Sequence, residues 1–82
     1  MSAKPAPPER GDVHLDLRGL KCPLPALHTR KALTRLAPGT ALVVTCTDPM
    51  AVIDIPHLAQ ETGAALEDKQ IEPGLLTFRL RR

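Results

Sequence analysis

Aromatic side chains are almost missing from this 82-residue chain: Phe78 stands alone, with neither Trp nor Tyr. A core must therefore be built from Leu, Val, Ile and Ala, and in so short a chain it is thin. The same shortage argues against a reader of single-stranded nucleic acid, which stacks bases on rings. No apolar run approaches the ~20 residues that span a bilayer, so no membrane association is expected. Paired metal-ligand spacings such as C-x-x-C or H-x-x-x-H are missing, and His14, His28 and His57 fall on separate segments, so no metal site is expected. Neither G-x-G-x-x-G nor a P-loop follows the first apolar segment, which removes the common nucleotide cradles. Acidic residues are missing between Asp16 and Asp48, whereas Arg18, Lys21, Arg30, Lys31 and Arg35 lie in that interval. The net charge of +2 alone implies no nucleic-acid partner, but this interval is a local basic patch able to steer an acidic partner or RNA, unless it is simply a solvated helix face.

Residues 1–11 hold three prolines and no apolar h-region, so a short disordered tail is expected there rather than a signal peptide, with one domain over 12–82. Two cysteines without an export signal point to a reducing cytoplasm and free thiols. Val13, Leu15 and Leu17 alternate with His14 and Asp16, the pattern of a half-buried strand. A helix is predicted from Pro23 to about Ala37, with Pro23 at its first position and Ala26, Thr29, Leu33 and Leu36 turned inward. Ala41–Cys46 is β-rich. Asp48 and Pro49 open a second helix that Gly63 closes, with Pro56 either kinking it or dividing it so that Asp54 caps a second piece. A weak strand at Ala64–Ile71, a turn at Glu72-Pro73-Gly74 and a strand carrying Leu76, Phe78 and Leu80 complete the chain. The order β-α-β-α-β-β predicts an α/β two-layer sandwich: two helices on one face of a four-stranded mixed sheet, its helix-linked strands parallel and its last two an antiparallel hairpin.

Cys22 is the residue that asks for chemistry. It precedes Pro23, is pushed away from helical dihedrals, and is expected at the N-cap. A thiol at that place meets the positive end of the helix dipole, which lowers its pKa. Pro23 and Pro25 remove two first-turn donors and leave the Leu24 N–H as the nearest to the sulfur, while Arg18 and Lys21 add positive charge. The competing explanation is a small apolar cap residue that happens to be cysteine. No histidine is placed to act as its base, since His28 lies more than a turn further on. Position 25 is proline where a thioredoxin-like motif has its resolving cysteine. A nucleophile without machinery suits a carrier. Cys46 shares parity with Leu42 and Val44 and is expected in the core, a resolving role toward Cys22 being the second possibility. With Asp48 it should lie near the Cys22 loop, because parallel strands end on one side of the sheet. Leu24 and Leu27 fall outside the buried arc beside Arg30 and Lys31 and are expected to form a docking surface.

The segments LDLRGLKCPLP, RKAL, PGTALVV, TDP and DIP together resemble the TusA/SirA-like sulfur-carrier family, from about Val13 to the C-terminus. The resemblance implies the same β-α-β-α-β-β sandwich and a persulfide carried on Cys22, with no other cofactor. It implies loading by a cysteine desulfurase or rhodanese-like donor and delivery to a downstream acceptor, in tRNA thiolation, molybdenum-cofactor, sulfur-oxidation or selenium pathways. Pro23 and Pro25 match the motif prolines, Asp48-Pro49 and Asp54 with Pro56 the acidic-proline pairs, and Arg30, with Lys31, the partner-docking cations. Leu24 occupies the variable motif position, where the tRNA-thiolation member has glutamate. Such a protein is a relay rather than a multiple-turnover enzyme. A protein-interaction module using the basic helix without sulfur chemistry is the alternative, and direct RNA binding ranks below both.

Overall fold

The computed structural model describes residues 12–82, so the N-terminal tail expected over residues 1–11 lies outside the described residues. Four strands and two helices follow in the predicted order: β1 (Val13–Leu17), α1 (Leu24–Arg35), β2 (Ala41–Cys46), α2 (Ala51–Thr62), β3 (Ala65–Glu72) and β4 (Leu75–Arg81). The sheet runs β1-β2-β4-β3. β1 pairs with β2 in parallel, and β4 is antiparallel to both β2 and β3.

Alternation sets which face is covered. In β4, Leu76, Phe78 and Leu80 are buried while Leu75, Thr77, Arg79 and Arg81 between them are half-buried. The register carries this parity across the sheet: Leu42 lies opposite Leu80, Val44 opposite Phe78, and Cys46 opposite Leu76 on one side and Leu17 on the other. Phe78 is wholly buried at the centre of this face. Pro25, Thr29 and Leu33 of α1 and Ala51, Ile55, Leu58 and Ala59 of α2 are the buried helix residues. Each large side chain so buried contributes on the order of 1.5–3 kcal/mol. The opposite face is ionic, where Arg79 donates to Asp12 (3.0 Å) and Glu67 (3.2 Å) and Arg81 to Glu67 (2.6 Å).

Several boundaries differ from the sequence-based expectation. α1 starts at Leu24 with Pro23 as its N-cap, because the Leu24 N–H closes a turn onto the Lys21 carbonyl (2.8 Å) before the helix begins. Pro25, in line with Thr29 and Leu33 at the helical i, i+4 spacing, is the buried residue of the first turn instead of Ala26; Ala26 and Leu36 are half-buried. α1 also ends at Arg35, where Leu36 is extended. The Arg82 guanidinium caps this end by donating to the carbonyls of Leu33 and Leu36, both at 2.7 Å. α2 runs unbroken through Pro56 rather than in two pieces. Ile55 before the proline and Leu58 and Ala59 after it are all buried, and tertiary packing of this kind holds a helix that has lost one backbone bond. Gly63 closes it in the left-handed conformation (φ 80°), as expected. Pro73-Gly74 turns β3 into β4, with Gly74 at φ 74°. β3 is almost wholly exposed, only Leu66 being half-buried. Among the described residues no helix is long and apolar enough to cross a membrane.

Candidate functional site around Cys22

Because β1 and β2 are parallel, the loops leaving their C-terminal ends lie side by side. Leu17, the last residue of β1, is register partner of Cys46, the last of β2. Past these ends the loops are stitched together: the Gly19 N–H donates to Thr47 Oγ1 (2.8 Å), and the Cys22 N–H donates to Asp48 Oδ2. Gly19 adopts φ 87°, a conformation that glycine takes without strain. The other Asp48 oxygen accepts from the Met50 N–H (3.1 Å) at the entrance to α2. One carboxylate thus holds the Cys22 backbone and the start of the second helix together. The donation from Cys22, then that from Met50, keeps the Asp48 carboxyl below its ordinary pKa.

Asp54 meets the sulfur itself. Cys22 Sγ donates to Asp54 Oδ2 at 3.1 Å, from the α1 side to the first turn of α2. Cys22 is exposed and free, as expected, but its pKa moves opposite to expectation. The hydrogen bond to Asp54 raises it, with desolvation and the charges of Asp54 and Asp48 acting in the same direction. Two physical reasons explain the difference. Pro23 takes the cap position, so Cys22 sits one residue further from the helix dipole, and the Leu24 N–H expected to face the sulfur is bonded to Lys21 instead. The basic flank is also weaker than its count suggests. Arg18 is drawn into a two-pronged pair with Asp16 (2.9 Å for Nε and for the terminal nitrogen), which lowers the Asp16 pKa to about 2.

Of the other cations, Arg30 pairs with Glu61 of α2 at 2.7 Å, and His57 stands 3.3 Å from that same Glu61. Among the described residues no carboxylate lies within 4 Å of Lys21, Lys31 or Arg35. Arg35 lies at the far end of α1, eleven residues from Leu24, and so stands apart from the sulfur. Leu24 and Leu27 are 42% and 55% exposed, and with His28, Arg30 and Lys31 they line a shallow groove on the outer side of α1. Two apolar residues on the α2 side escaped the sequence reading: Met50 (44% exposed) and Ile53 (61% exposed), each beside an acid that holds Cys22. Their signal was helical phase, since Ala51, Ile55, Leu58 and Ala59 turn inward and leave Ile53 outside. It could not be applied while Pro56 left the continuity of α2 open.

Cys46 is wholly buried among Leu17, Val44 and Leu76, and burial pushes its thiol up to about 11. That is the behaviour of a core residue rather than of a resolving thiol.

A four-stranded mixed sheet with two helices in this α+β arrangement is a known fold. The SirA-like protein from Desulfitobacterium hafniense has this fold: its crystal structure superposes with a TM-score of 0.74 at 20% identity, over 84% of this chain and 95% of that one. The TusA family (Sulfurtransferase TusA) matches residues 13–82. The sulfur carrier protein TusA of Allochromatium vinosum is 38% identical over 71 residues, 87% of this chain and 93% of that one. Its namesake from Pseudomonas aeruginosa is 37% identical over 71 residues, 87% and 90% of the two chains. The chain belongs to the TusA family.

Proposed function

We propose that this protein is a sulfur carrier that takes up sulfur as a persulfide on Cys22 and hands it to an acceptor. The observation that carries this proposal is the setting of Cys22: an exposed thiol whose backbone and side chain are each fixed by a separate carboxylate. The other cysteine is sealed in the core. In this proposal the sulfur is loaded and unloaded by partner proteins that bring the rest of the transfer chemistry. The relatives named sulfur carrier proteins support the same role.

The donor is a cysteine desulfurase or rhodanese-like protein, working in the cytoplasm. Leu24, Leu27 and Lys31, with Met50 and Ile53 across the sulfur, form the apolar and basic rim against which donor and acceptor dock. No resident cofactor is needed, because the cargo is the covalent sulfur itself. Leu24 in the variable position of the C-P-x-P motif favours an acceptor that meets an apolar rather than an acidic side chain there.

The test is incubation with a desulfurase and cysteine, read by intact mass and peptide mapping. Wild type gains sulfur that reductant removes, on the peptide containing Cys22, and Cys22→Ser gains none. Loading of Cys22→Ser, or failure of wild type to load, overturns the proposal. An interaction module without sulfur chemistry would instead keep its partner in Cys22→Ser and lose it in Arg30→Glu.

A further inference from the structure

Sulfur carriers must be reluctant holders, and the groups facing Cys22 are arranged for reluctance. From α2 comes Asp54, whose Oδ2 accepts the Sγ–H at 3.1 Å. From the β2–α2 loop comes Asp48, bonded to the Cys22 N–H. From the cysteine's own loop comes Lys21, whose charge acts on Asp48, while Arg18 is held by Asp16. Two carboxylates therefore stand against one cation around a sulfur whose working form is an anion.

We propose that Asp54 is a positioning residue that biases Cys22 toward its empty state, holding the unloaded sulfur as an oriented thiol and expelling the anionic persulfide once it forms. This rests on the carrier role proposed above and deepens it. In loading, Cys22 Sγ attacks the outer sulfur of the donor's persulfide. The new S–S bond forms as the donor's own S–S bond breaks, the donor cysteine leaves as its thiolate, and the proton lost by Cys22 ends on that thiolate. The transferred sulfur keeps its oxidation level, so no oxidant or reductant enters. Loaded Sγ then has no proton to give Asp54, so the contact that fixed it is gone. The charged outer sulfur lies about 2 Å beyond Sγ and is repelled by the same carboxylate. The direction of the Cys22 pKa agrees, since the bond to Asp54 raises it first of all. Asp54 thus guards an empty carrier against stray electrophiles and drives a loaded one to give up its sulfur.

The experiment compares wild type with Asp54→Asn, Asp54→Ser, Asp54→Glu and Asp48→Asn, each checked for fold by circular dichroism. Iodoacetamide alkylation of Cys22 is followed against pH by peptide mass. Asp54→Asn and Asp54→Ser shift the profile to lower pH and alkylate at least about threefold faster at pH 7, half a pKa unit or more. Asp54→Glu returns toward wild type, and Asp48→Asn shifts less because its bond is to the backbone. At equilibrium with a fixed amount of persulfidated donor, Asp54→Asn also holds a larger fraction of the sulfur than wild type. A profile that coincides with wild type or moves to higher pH in both neutral variants overturns the hold on the thiol. Unchanged or lower sulfur occupancy overturns the release. A wild type that never loads sulfur overturns the carrier role and the release with it, while alkylation still decides the hold on the thiol.

Discussion

The two sulfurs of this protein lie at the same end of the sheet, Cys22 in the loop that follows β1 and Cys46 at the last residue of the adjacent β2, yet they occupy opposite environments. Both thiols are pushed toward their neutral form, but by different physics. At Cys22 the leading cause is one hydrogen bond to Asp54 on an exposed loop. At Cys46 it is burial. A carboxylate can be paired, protonated or replaced, so the first effect is adjustable by a docking partner. Desolvation by a packed core cannot be lifted without unfolding, so the second is permanent. The same residue type is thus an exposed, hydrogen-bonded thiol in one place and a core filler in the other, and its surroundings make the difference.

The largest effect that would break this contrast is in labelling. In the folded protein a small alkylating agent reaches Cys22 directly, whereas it reaches Cys46 only through opening of the core. With a domain stability of even ~5 kcal/mol, the population of open molecules is on the order of 10⁻⁴. Peptide-resolved alkylation at pH 8 should therefore show Cys22 reacting at least about a thousandfold faster. Comparable rates for the two would mean that Cys46 is accessible and that its role as a core residue is wrong.

Stability comes next in size. Replacing Cys46 with serine places a hydroxyl among Leu17, Val44 and Leu76, where the cost of a polar group lacking a partner is about 1–3 kcal/mol. Replacing Cys22 with serine keeps a donor toward Asp54 on an exposed loop and should stay within about 0.5 kcal/mol. Urea unfolding midpoints of the two variants measure this directly. Equal losses would erase the distinction between site and core.

Much of this contrast was legible in the residues. Parity along Leu42, Val44 and Cys46 put Cys46 inside, and alternation in β1 and β4 gave the sheet its buried face. The C-P-x-P segment marked Cys22 as exposed. What could not be read was whatever depended on one-residue phase or on distant partners. The helix start moved from Pro23 to Leu24 because a turn over Cys22 and Pro23 used the Leu24 N–H, and the expected direction of the thiol's pKa reversed because Asp54 accepts from the sulfur. Asp54 reached the sulfur only because α2 continues through Pro56. Arg82 caps α1 across 46 residues of sequence to Leu36 and 49 to Leu33, a partnership that no local pattern announces.

The smallest effect sharpens the contrast through pH. A thiol whose folded pKa lies above its unfolded one remains protonated in the fold while it ionises in the unfolded chain. The folded state then binds more protons, so stability falls as pH rises, beginning near the unfolded value and ending at the folded one. For Cys46 that window runs from about pH 9 to about 11, with a loss of order 1–2 kcal/mol attached to it. Cys22 acts in the same direction, but its exposure lets water screen the effect. Comparing urea midpoints at pH 8 and pH 10.5 cancels the groups that all variants share. Cys46→Ala should lose distinctly less stability across that interval than wild type, and Asp54→Asn only slightly less. If Asp54→Asn flattened the alkaline limb as much as Cys46→Ala, the carboxylate would outweigh the core in holding a thiol neutral, and the ranking of the two environments would have to be reversed.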